Sequence, residues 1–200
     1  MKINAHLHCA VRCSDVRITK YFPEISCDPT RVKLVMVSEA IPDNVQDYFY
    51  EKGDPAFLRT TVQAFADAGF AMNTVKDFFD RGIYLTTALK CKKKEYLVSS
   101  GTLQKCASVL QEELEQFLNI RVIMLMGDFA IRTMNYIWKN KYNKRAISAG
   151  STYKIRKAVY EDRGIRFFPS YTQTGDSFNI EKSKRRMIAE DIDAAMKLII

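Results

Sequence analysis

Four near-continuous apolar runs constrain the fold more than any other feature of this 200-residue sequence. They are VKLVMVSEA (32–40), GIYLTTALK (82–90), RVIMLMG (121–127) and GIRFFPSY (164–171). Runs that do not alternate between apolar and polar residues are typical of parallel strands, because helices cover both faces of a parallel sheet. Each run therefore predicts a buried strand of one sheet.

Helical patterns lie between the predicted strands. Asp54 and Pro55 form an N-cap and first-turn pair ahead of an apolar face that extends to Gly69. Further helices are predicted to begin at Thr102, at Gly127-Asp128 and at about Asn179. This alternation predicts a three-layer α/β/α sandwich around a central four-stranded, mainly parallel sheet. The irregular, basic segment 139–163 is expected to hold a short edge hairpin.

The chain is expected to form one domain over residues 1–200, with the cysteine-bearing segment 1–31 packed on its core. No apolar run approaches the roughly 18–20 residues that cross a bilayer, and the N-terminal residues lack an apolar signal core. We therefore expect a cytoplasmic protein with reduced thiols and no membrane contact. A monomer is the favoured state.

Ligands of such sheets bind beside the loops at the carboxyl ends of the strands. Glu39 lies in the first of these loops, where an acid can orient a water or stabilise developing positive charge. A solvated loop carboxylate is the alternative. The following segment DYFY (47–50) carries three rings, which either stack on a nucleobase or pack as a lid on the first helix.

The cysteines fall into two pairs and one single residue. Cys9 and Cys13 form a compact pair, whereas Cys91 ends a strand and Cys106 lies early in the next helix. Two pairs from distant segments can supply four thiolates to an iron–sulfur cluster or to zinc. The alternative is that Cys106 packs as a small apolar residue and Cys9 lies on a loose terminus.

The formal net charge of +8 favours a polyanion, and nucleic acid in particular, as a partner. Basic residues cluster in two regions. These are Lys90 with Lys92–Lys94, and then Lys139, Lys141, Lys144, Arg145, Lys154, Arg156 and Lys157. If the loops that carry them share one rim, they form a surface that follows phosphates. A scattered, solvated face is the alternative.

The order of these features resembles the uracil-DNA glycosylase superfamily, and within it the iron–sulfur-containing, family 4-like branch. In that family a strand ends in a G-E-A-P-G-type loop, here SEAIP (38–42), and another in N-x-x-K-C, here TALKC (87–91). An L-G-x-x-A turn is matched by MGDFA (126–130), and a closing R-R-x-x-x-x-D-I helix by RRMIAEDI (185–192). The similarity extends from Cys9 to the last helix.

The resemblance implies a cofactor and a partner. It implies a [4Fe–4S] cluster that supports the loops facing DNA, with zinc or no metal as alternatives. The implied ligands are Cys9, Cys13, Cys91 and Cys106. Because Cys9-x3-Cys13 is one residue wider than the usual family pair, Cys27 stays in reserve as a ligand. The implied partner is DNA with an extruded base.

The resemblance also implies a role for individual residues around the cleft. Glu39 is the implied catalytic residue, near the sugar or the attacking water. The implied base pocket consists of Ser38, Ala40, Tyr48, Phe49, Thr87 and Thr172. The implied contacts to the DNA backbone are Lys92, Lys93, Lys94, Lys154 and Arg156.

Three positions depart from the family pattern. The asparagine that reads uracil is replaced by Thr87, whose hydroxyl offers no fixed donor–acceptor pair. The histidine that stabilises the departing base falls on Thr172, and superposing Phe168-Pro169-Ser170 on the H-P-S motif supplies no histidine either. Pro42 stands where the loop has its second glycine.

The predicted function is therefore that of a DNA-binding, uracil-DNA glycosylase-like protein. It would excise a deaminated or damaged base by N-glycosidic bond hydrolysis in base excision repair. The main alternative is a non-catalytic iron–sulfur protein that binds DNA or senses damage on the same fold. An enzyme acting on free nucleosides is a third, less favoured hypothesis.

Overall fold

A five-stranded sheet forms the middle layer of the fold. The computed structural model describes residues 2–17, 20–175 and 177–200. In chain order the strands are β1 (Lys2–Ile3), β2 (Val16–Arg17), β3 (Ile25–Ser26), β4 (Leu34–Ala40), β5 (Ile83–Leu89), β6 (Lys92–Lys93), β7 (Val122–Met126), β8 (Tyr160–Asp162) and β9 (Ile165–Ser170). The central sheet has the order β5-β4-β7-β9-β8, with β8 antiparallel and the other four strands parallel. The predicted α/β class is confirmed, with five strands in the sheet rather than four.

The additional strand, β8, is the edge partner of β9. The chain reverses between them through Arg163 and Gly164, whose φ angles are 54° and 76°. Positive φ at two central residues is typical of a tight two-residue hairpin. An edge hairpin is thus present, but only its first strand, β8, lies within segment 139–163, and its second strand is β9. Its three-residue strand YED is too short and too polar to read as a buried strand.

The helices alternate with the strands. Over the described residues the α-helices are α1 (Ala56–Asp67), α2 (Val75–Asp80), α3 (Ser100–Leu114), α4 (Asp128–Tyr142), α5 (Thr152–Ile155), α6 (Ser177–Ile180) and α7 (Lys182–Met196), and short 3₁₀ turns cover Pro29–Arg31 and Val45–Asp47. Among these residues no helix combines the length and apolarity needed to cross a membrane.

Three helix boundaries differ from those predicted. Helix α1 begins at Ala56, whose N–H donates to Asp47 (3.3 Å), and Asp54 instead forms an ion pair with Arg59. Helix α3 begins two residues early, because Ser99 rather than a later residue is its N-cap. The predicted last helix is divided into α6 and α7 at Glu181, whose φ and ψ of −111° and 95° are extended.

Alternate residues of each central strand face opposite helix layers. Leu34 and Met36 of β4 belong to the buried cluster that also contains residues of α1 and α7. Val35 and Val37 belong to the cluster that contains residues of α3 and α4. Both faces of the sheet are therefore buried, which explains the near-continuous apolar sequences of the strands.

The N-terminal segment is attached to the core by two short antiparallel strand pairs. Strand β1 pairs with β3, and the Asn4 amide donates to the buried Tyr84 hydroxyl (3.1 Å). Strand β2 pairs with β6, which places Val16 opposite Lys93. Because β6 follows β5 almost directly, this second pair brings the segment after Cys13 to the carboxyl edge of the sheet.

Candidate functional site

A cleft of about 640 Å³ opens at the carboxyl edge of the central sheet. It lies between the loops that follow β4, β6 and β9. Its lining includes Glu39, Ala40, Asp43, Lys93, Tyr96 and Thr172. The cleft is therefore at the edge where ligands of parallel α/β sheets bind.

Glu39 lies in this cleft with its side chain 24% exposed. One carboxylate oxygen accepts the backbone N–H of Phe129 in the first turn of α4 (3.4 Å). A helix N-terminus attracts negative charge, so the start of α4 helps to hold the carboxylate in this position. The preceding Gly127 has a φ of 109°, and a Cβ there would lie 2.6 Å from the Glu39 carboxylate. The turn between β7 and α4 thus leaves room for Glu39 only while residue 127 is glycine.

Lys93 is the cationic neighbour of Glu39. Its Nζ lies 3.4 Å from the second carboxylate oxygen and 5.0 Å from the centre of the Phe129 ring. The side chain is 31% exposed and also lines the cleft. Lys93 was predicted to contact the DNA backbone; its pairing with Glu39 was not predicted, because it depends on the β2–β6 strand pair. The cleft therefore holds a carboxylate and an ammonium group side by side.

Of the six predicted base-pocket residues, Ala40 and Thr172 line the cleft. The Thr172 hydroxyl lies 3.2 Å from that of Thr174 and carries no charge. Thr87 is fully buried, and its hydroxyl donates to the Leu89 carbonyl oxygen within β5 (3.0 Å). The Thr87 side chain is thus satisfied inside its own strand and is not part of the cleft lining.

Gln173 is a buried amide that the sequence analysis did not single out. Its Nε2 lies 3.1 Å from the hydroxyl oxygen of Ser38, which is also fully buried, and 3.4 Å from that of Thr61. The amide therefore links the loop after β9 to β4 and α1, beneath the cleft. Its place in the loop YTQTGDSFN, after the last strand, was the only sequence feature that could have pointed to Gln173. The contact between its amide and Ser38 could not be deduced from that place.

Tyr48 and Phe49 were predicted to stack on an extruded base, and their positions in the structure correct that prediction. Tyr48 is 2% exposed and Phe49 is fully buried. Their ring centroids are 5.1 Å apart, and the Phe49 ring lies 5.4 Å from that of Phe57 on α1. The rings are core residues because packing against one another and against α1 removes their apolar surface from water. This is the lid alternative.

The predicted phosphate-binding lysines are at the surface. Lys92 and Lys94 flank Lys93, and their ammonium groups donate to the backbone carbonyl oxygens of Asp43 and Ser14. Lys154 is exposed on α5.

Arg156 and Lys90 are corrections to the predicted basic surface. The Arg156 side chain is 3% exposed, and its guanidinium lies 2.6 Å from Asp191 and 3.0 Å from Glu190. The Lys90 side chain is 4% exposed and lies 2.6 Å from Glu113. Both cations are buried because carboxylates from distant helices neutralise them, so neither is available to a phosphate.

The Cys106 thiol lies within electrostatic range of three other cysteine thiols. Burial raises the pKa of the Cys106 thiol to about 11, and the charges of Cys91, Cys13 and Cys9 also raise it. Such an effect requires the groups to be near one another. Cys91 and Cys106 are buried, and Cys9 and Cys13 are partly buried. Cys27 packs against the α3–α4 side of the sheet.

The donor type and number at these four thiols fit an iron–sulfur cluster or zinc. Within residues 2–17, 20–175 and 177–200, however, no three His, Cys, Asp or Glu side chains converge at a geometry that would hold a metal ion. Ligation by these thiols would therefore require side-chain movement.

Asp15 attaches the cysteine segment to the helix that carries Cys106. Its carboxylate accepts hydrogen bonds from the Ser99 N–H (2.7 Å) and the Thr102 hydroxyl (2.6 Å) at the start of α3. Burial acts to raise the pKa of Asp15, but these hydrogen bonds outweigh it and lower that pKa to about 2. Within the N-terminal segment itself, Lys20 donates to the Cys9 carbonyl oxygen.

The fold is that of an α/β protein with a cleft at the carboxyl ends of parallel strands, where ligands of such sheets bind. A family model of the uracil DNA glycosylase superfamily matches residues 25–191. The chain therefore belongs to the uracil DNA glycosylase superfamily, as its sequence motifs predicted. No curated protein matches the chain significantly. The matched region includes Glu39, Cys91 and Cys106 and begins after Cys9 and Cys13.

Proposed function

We propose that this protein binds DNA and hydrolyses the N-glycosidic bond of a deaminated or damaged base. The observation that carries the proposal is the carboxylate–ammonium pair of Glu39 and Lys93 inside the cleft. Membership of the uracil DNA glycosylase superfamily supports the reaction class. The net charge of +8 supports a polyanionic substrate.

The two members of the pair suit the two charges that bond cleavage develops. Heterolysis leaves positive charge on the sugar and an electron pair on the base. The Glu39 carboxylate would stabilise the sugar cation or accept a proton from the attacking water. The Lys93 ammonium would compensate for the charge on the departing base, which the Thr172 hydroxyl cannot do.

The target base must leave the base stack to reach such a cleft. Lys92 and Lys94 are adjacent in sequence to Lys93 and would hold the phosphates of the strand that carries the base. Lys154 would contact the backbone from α5. Arg156 has no part in this proposal, because Asp191 and Glu190 hold it inside the fold.

We also propose that Cys9, Cys13, Cys91 and Cys106 hold a [4Fe–4S] cluster. When bound, the cluster would supply a cross-link between the N-terminal segment, the loop after β5 and α3. Protein purified without oxygen should contain iron and sulfide and show broad visible absorbance. Cys13→Ser should reduce the iron content, whereas Cys27→Ser should not. Zinc without sulfide would replace the cluster by a zinc site, and the absence of both metals would refute the ligand set.

A non-catalytic DNA-binding protein is the second candidate function. The observation that favours it is Thr87, which is fully buried and donates its hydroxyl within β5. No amide at this position is available to read a base, and loss of such a recognition group strongly weakens discrimination. Damage would then be recognised through DNA shape and strand opening.

The test is excision from single-stranded and duplex oligonucleotides that carry uracil, hypoxanthine or xanthine. After incubation, alkali cleaves the strand at each abasic site. We expect scission with the wild-type protein and a loss of roughly 10²–10³-fold with Glu39→Gln. Asp80→Asn is the matched control, because Asp80 pairs with Lys76 on α2, outside the cleft. Tight, salt-sensitive DNA binding without scission of any substrate would favour the non-catalytic candidate.

A further inference from the structure

Tyr96 and Leu97 form an exposed apolar pair at the rim of the cleft. Their exposed fractions are 94% and 82%, and Tyr96 also lines the cleft. Leu118 is similarly exposed, at 83%, but it follows α3 near the amino edge of the sheet. The pair at the rim is therefore placed where it can touch whatever enters the cleft.

The loop that carries the pair is held at both ends. Before it, Lys93 belongs to β6 and contacts Glu39. After it, Val98 is 5% exposed in a cluster with Leu103 and Phe129, and Ser99 caps α3. The loop is thus short and anchored, and its two apolar side chains project outward instead of folding back onto the core.

Cations lie on one side of this apolar pair, and Glu95 directly precedes it. Lys92 and Lys94 precede it, and Arg12 and Arg17 line a neighbouring recess of about 550 Å³ together with Lys94. Across the described part of the chain, none of these four side chains forms an ion pair with a carboxylate. Their charges are free to meet an anionic partner. Apolar side chains beside cations suit a nucleic-acid strand, whose bases lie beside its phosphates.

We propose that Tyr96 and Leu97 contact the faces of the bases that flank the nucleotide held in the cleft. This inference rests on the proposed DNA binding and adds the side chains that receive the neighbouring bases. Tyr96 would stack on one flanking base, and Leu97 would pack against the exposed face of a neighbouring base. Base stacking on a ring depends little on sequence, so the contact would serve any target base.

The test is the affinity for single-stranded oligonucleotides as a function of salt concentration. Tyr96→Ala should weaken binding by roughly 5- to 150-fold, the range that loss of one stacked base gives. The slope of log affinity against log salt should not change, because no cation is removed. Tyr96→Phe should retain the affinity, and Leu97→Ala should weaken duplex binding next to an abasic site.

Two variants serve as controls. Leu118→Ala removes an equally exposed apolar side chain at the opposite edge and should bind as the wild type does. Lys94→Ala should reduce the salt slope by about one unit, which separates phosphate contact from base contact. Thermal unfolding should be unchanged for Tyr96→Ala, because the ring packs against little in the protein.

Three outcomes would overturn the inference in different ways. Binding by Tyr96→Ala and Leu97→Ala equal to that of Leu118→Ala would refute the base contact alone. If Tyr96→Ala and Leu97→Ala lose binding to anionic lipid vesicles but bind DNA as the wild type does, Tyr96 and Leu97 contact a membrane surface instead of DNA. Failure of the wild-type protein to bind any oligonucleotide would refute the proposed DNA binding and the inference with it.

Discussion

Glu113→Leu should destabilise the fold much more than the double substitution Lys90→Met/Glu113→Leu. The Lys90 ammonium lies 2.6 Å from the Glu113 carboxylate, and the two side chains are 4% and 1% exposed. The carboxylate also accepts hydrogen bonds from the hydroxyls of Tyr84 (2.8 Å) and Thr86 (3.0 Å). Glu113→Leu therefore leaves a buried ammonium whose remaining described contact is the Thr86 hydroxyl (2.7 Å).

The magnitude follows from these contacts. Removing one partner of a buried ion pair costs about 3–5 kcal/mol, and each hydroxyl that loses its acceptor adds about 1 kcal/mol. Glu113→Leu should thus lower the free energy of unfolding by about 5–7 kcal/mol. In a chain of this size that corresponds to a fall in Tm of about 10–25 °C. The double variant removes both charges, so only the two hydroxyls remain unpaired and the cost falls to about 2 kcal/mol.

Urea unfolding at pH 7, followed by circular dichroism, measures these differences. Lys76 and Asp80 on α2 provide an exposed control pair, with side chains 79% and 47% exposed. Asp80→Leu should change the free energy of unfolding by no more than about 1 kcal/mol. If the double variant is as unstable as Glu113→Leu, the buried ammonium is not the source of the cost and the reasoning is refuted.

Three further predictions concern the cleft, the cysteine segment and the basic surface. Gly127→Ala should reduce excision strongly, because the added Cβ would overlap the Glu39 carboxylate. Gly164→Ala is the control: its φ is 76° and no atom lies within 4 Å of the added Cβ, so it should cost only backbone strain of about 1–2 kcal/mol. Equal excision by the two variants would contradict this. The pKa of Asp15 falls from 3.8 to about 2 on folding, so the wild type should be more stable than Asp15→Asn above about pH 4. This difference in stability should vanish as the pH falls through about 2. A difference in urea unfolding that does not depend on pH would contradict the prediction. Arg156→Met should lower Tm and leave the salt slope of DNA binding unchanged. Lys154→Ala should lower that slope by about one unit and leave Tm unchanged. The reverse pattern would mean that Arg156 contacts DNA.

The layered fold could be predicted because strands buried on both faces of a sheet have a recognisable local sequence pattern. Each run such as VKLVMVSEA is apolar at consecutive positions, since successive side chains meet different helix layers. The same reasoning placed Glu39 at the ligand-binding edge, because it directly follows the buried part of its strand. Strand β8 was not predicted, because a polar edge strand of three residues has no such sequence pattern.

The environment of charged and aromatic side chains could not be predicted in the same way. Lys90 faces the core and not the solvent because it pairs with Glu113. Arg156 is buried because it pairs with Asp191, which lies 35 positions away in the chain. Likewise, the burial of Phe49 depends on how the chain returns over α1. These outcomes are set by tertiary contacts between segments, and local composition carries no signal for them.

The cleft and the cysteines are mechanically linked through β6. Cys91 immediately precedes this strand, and β2, which follows Cys13, is its pairing partner. We therefore expect movement of the cysteine segment to shift Lys93, whose ammonium group lies 3.4 Å from Glu39. A metal centre at these thiols would influence base excision by holding β6 in place, without contact with the substrate. Loss of the cluster proposed at these thiols should then displace Lys93 from Glu39, while the central sheet, which does not contain β6, remains folded.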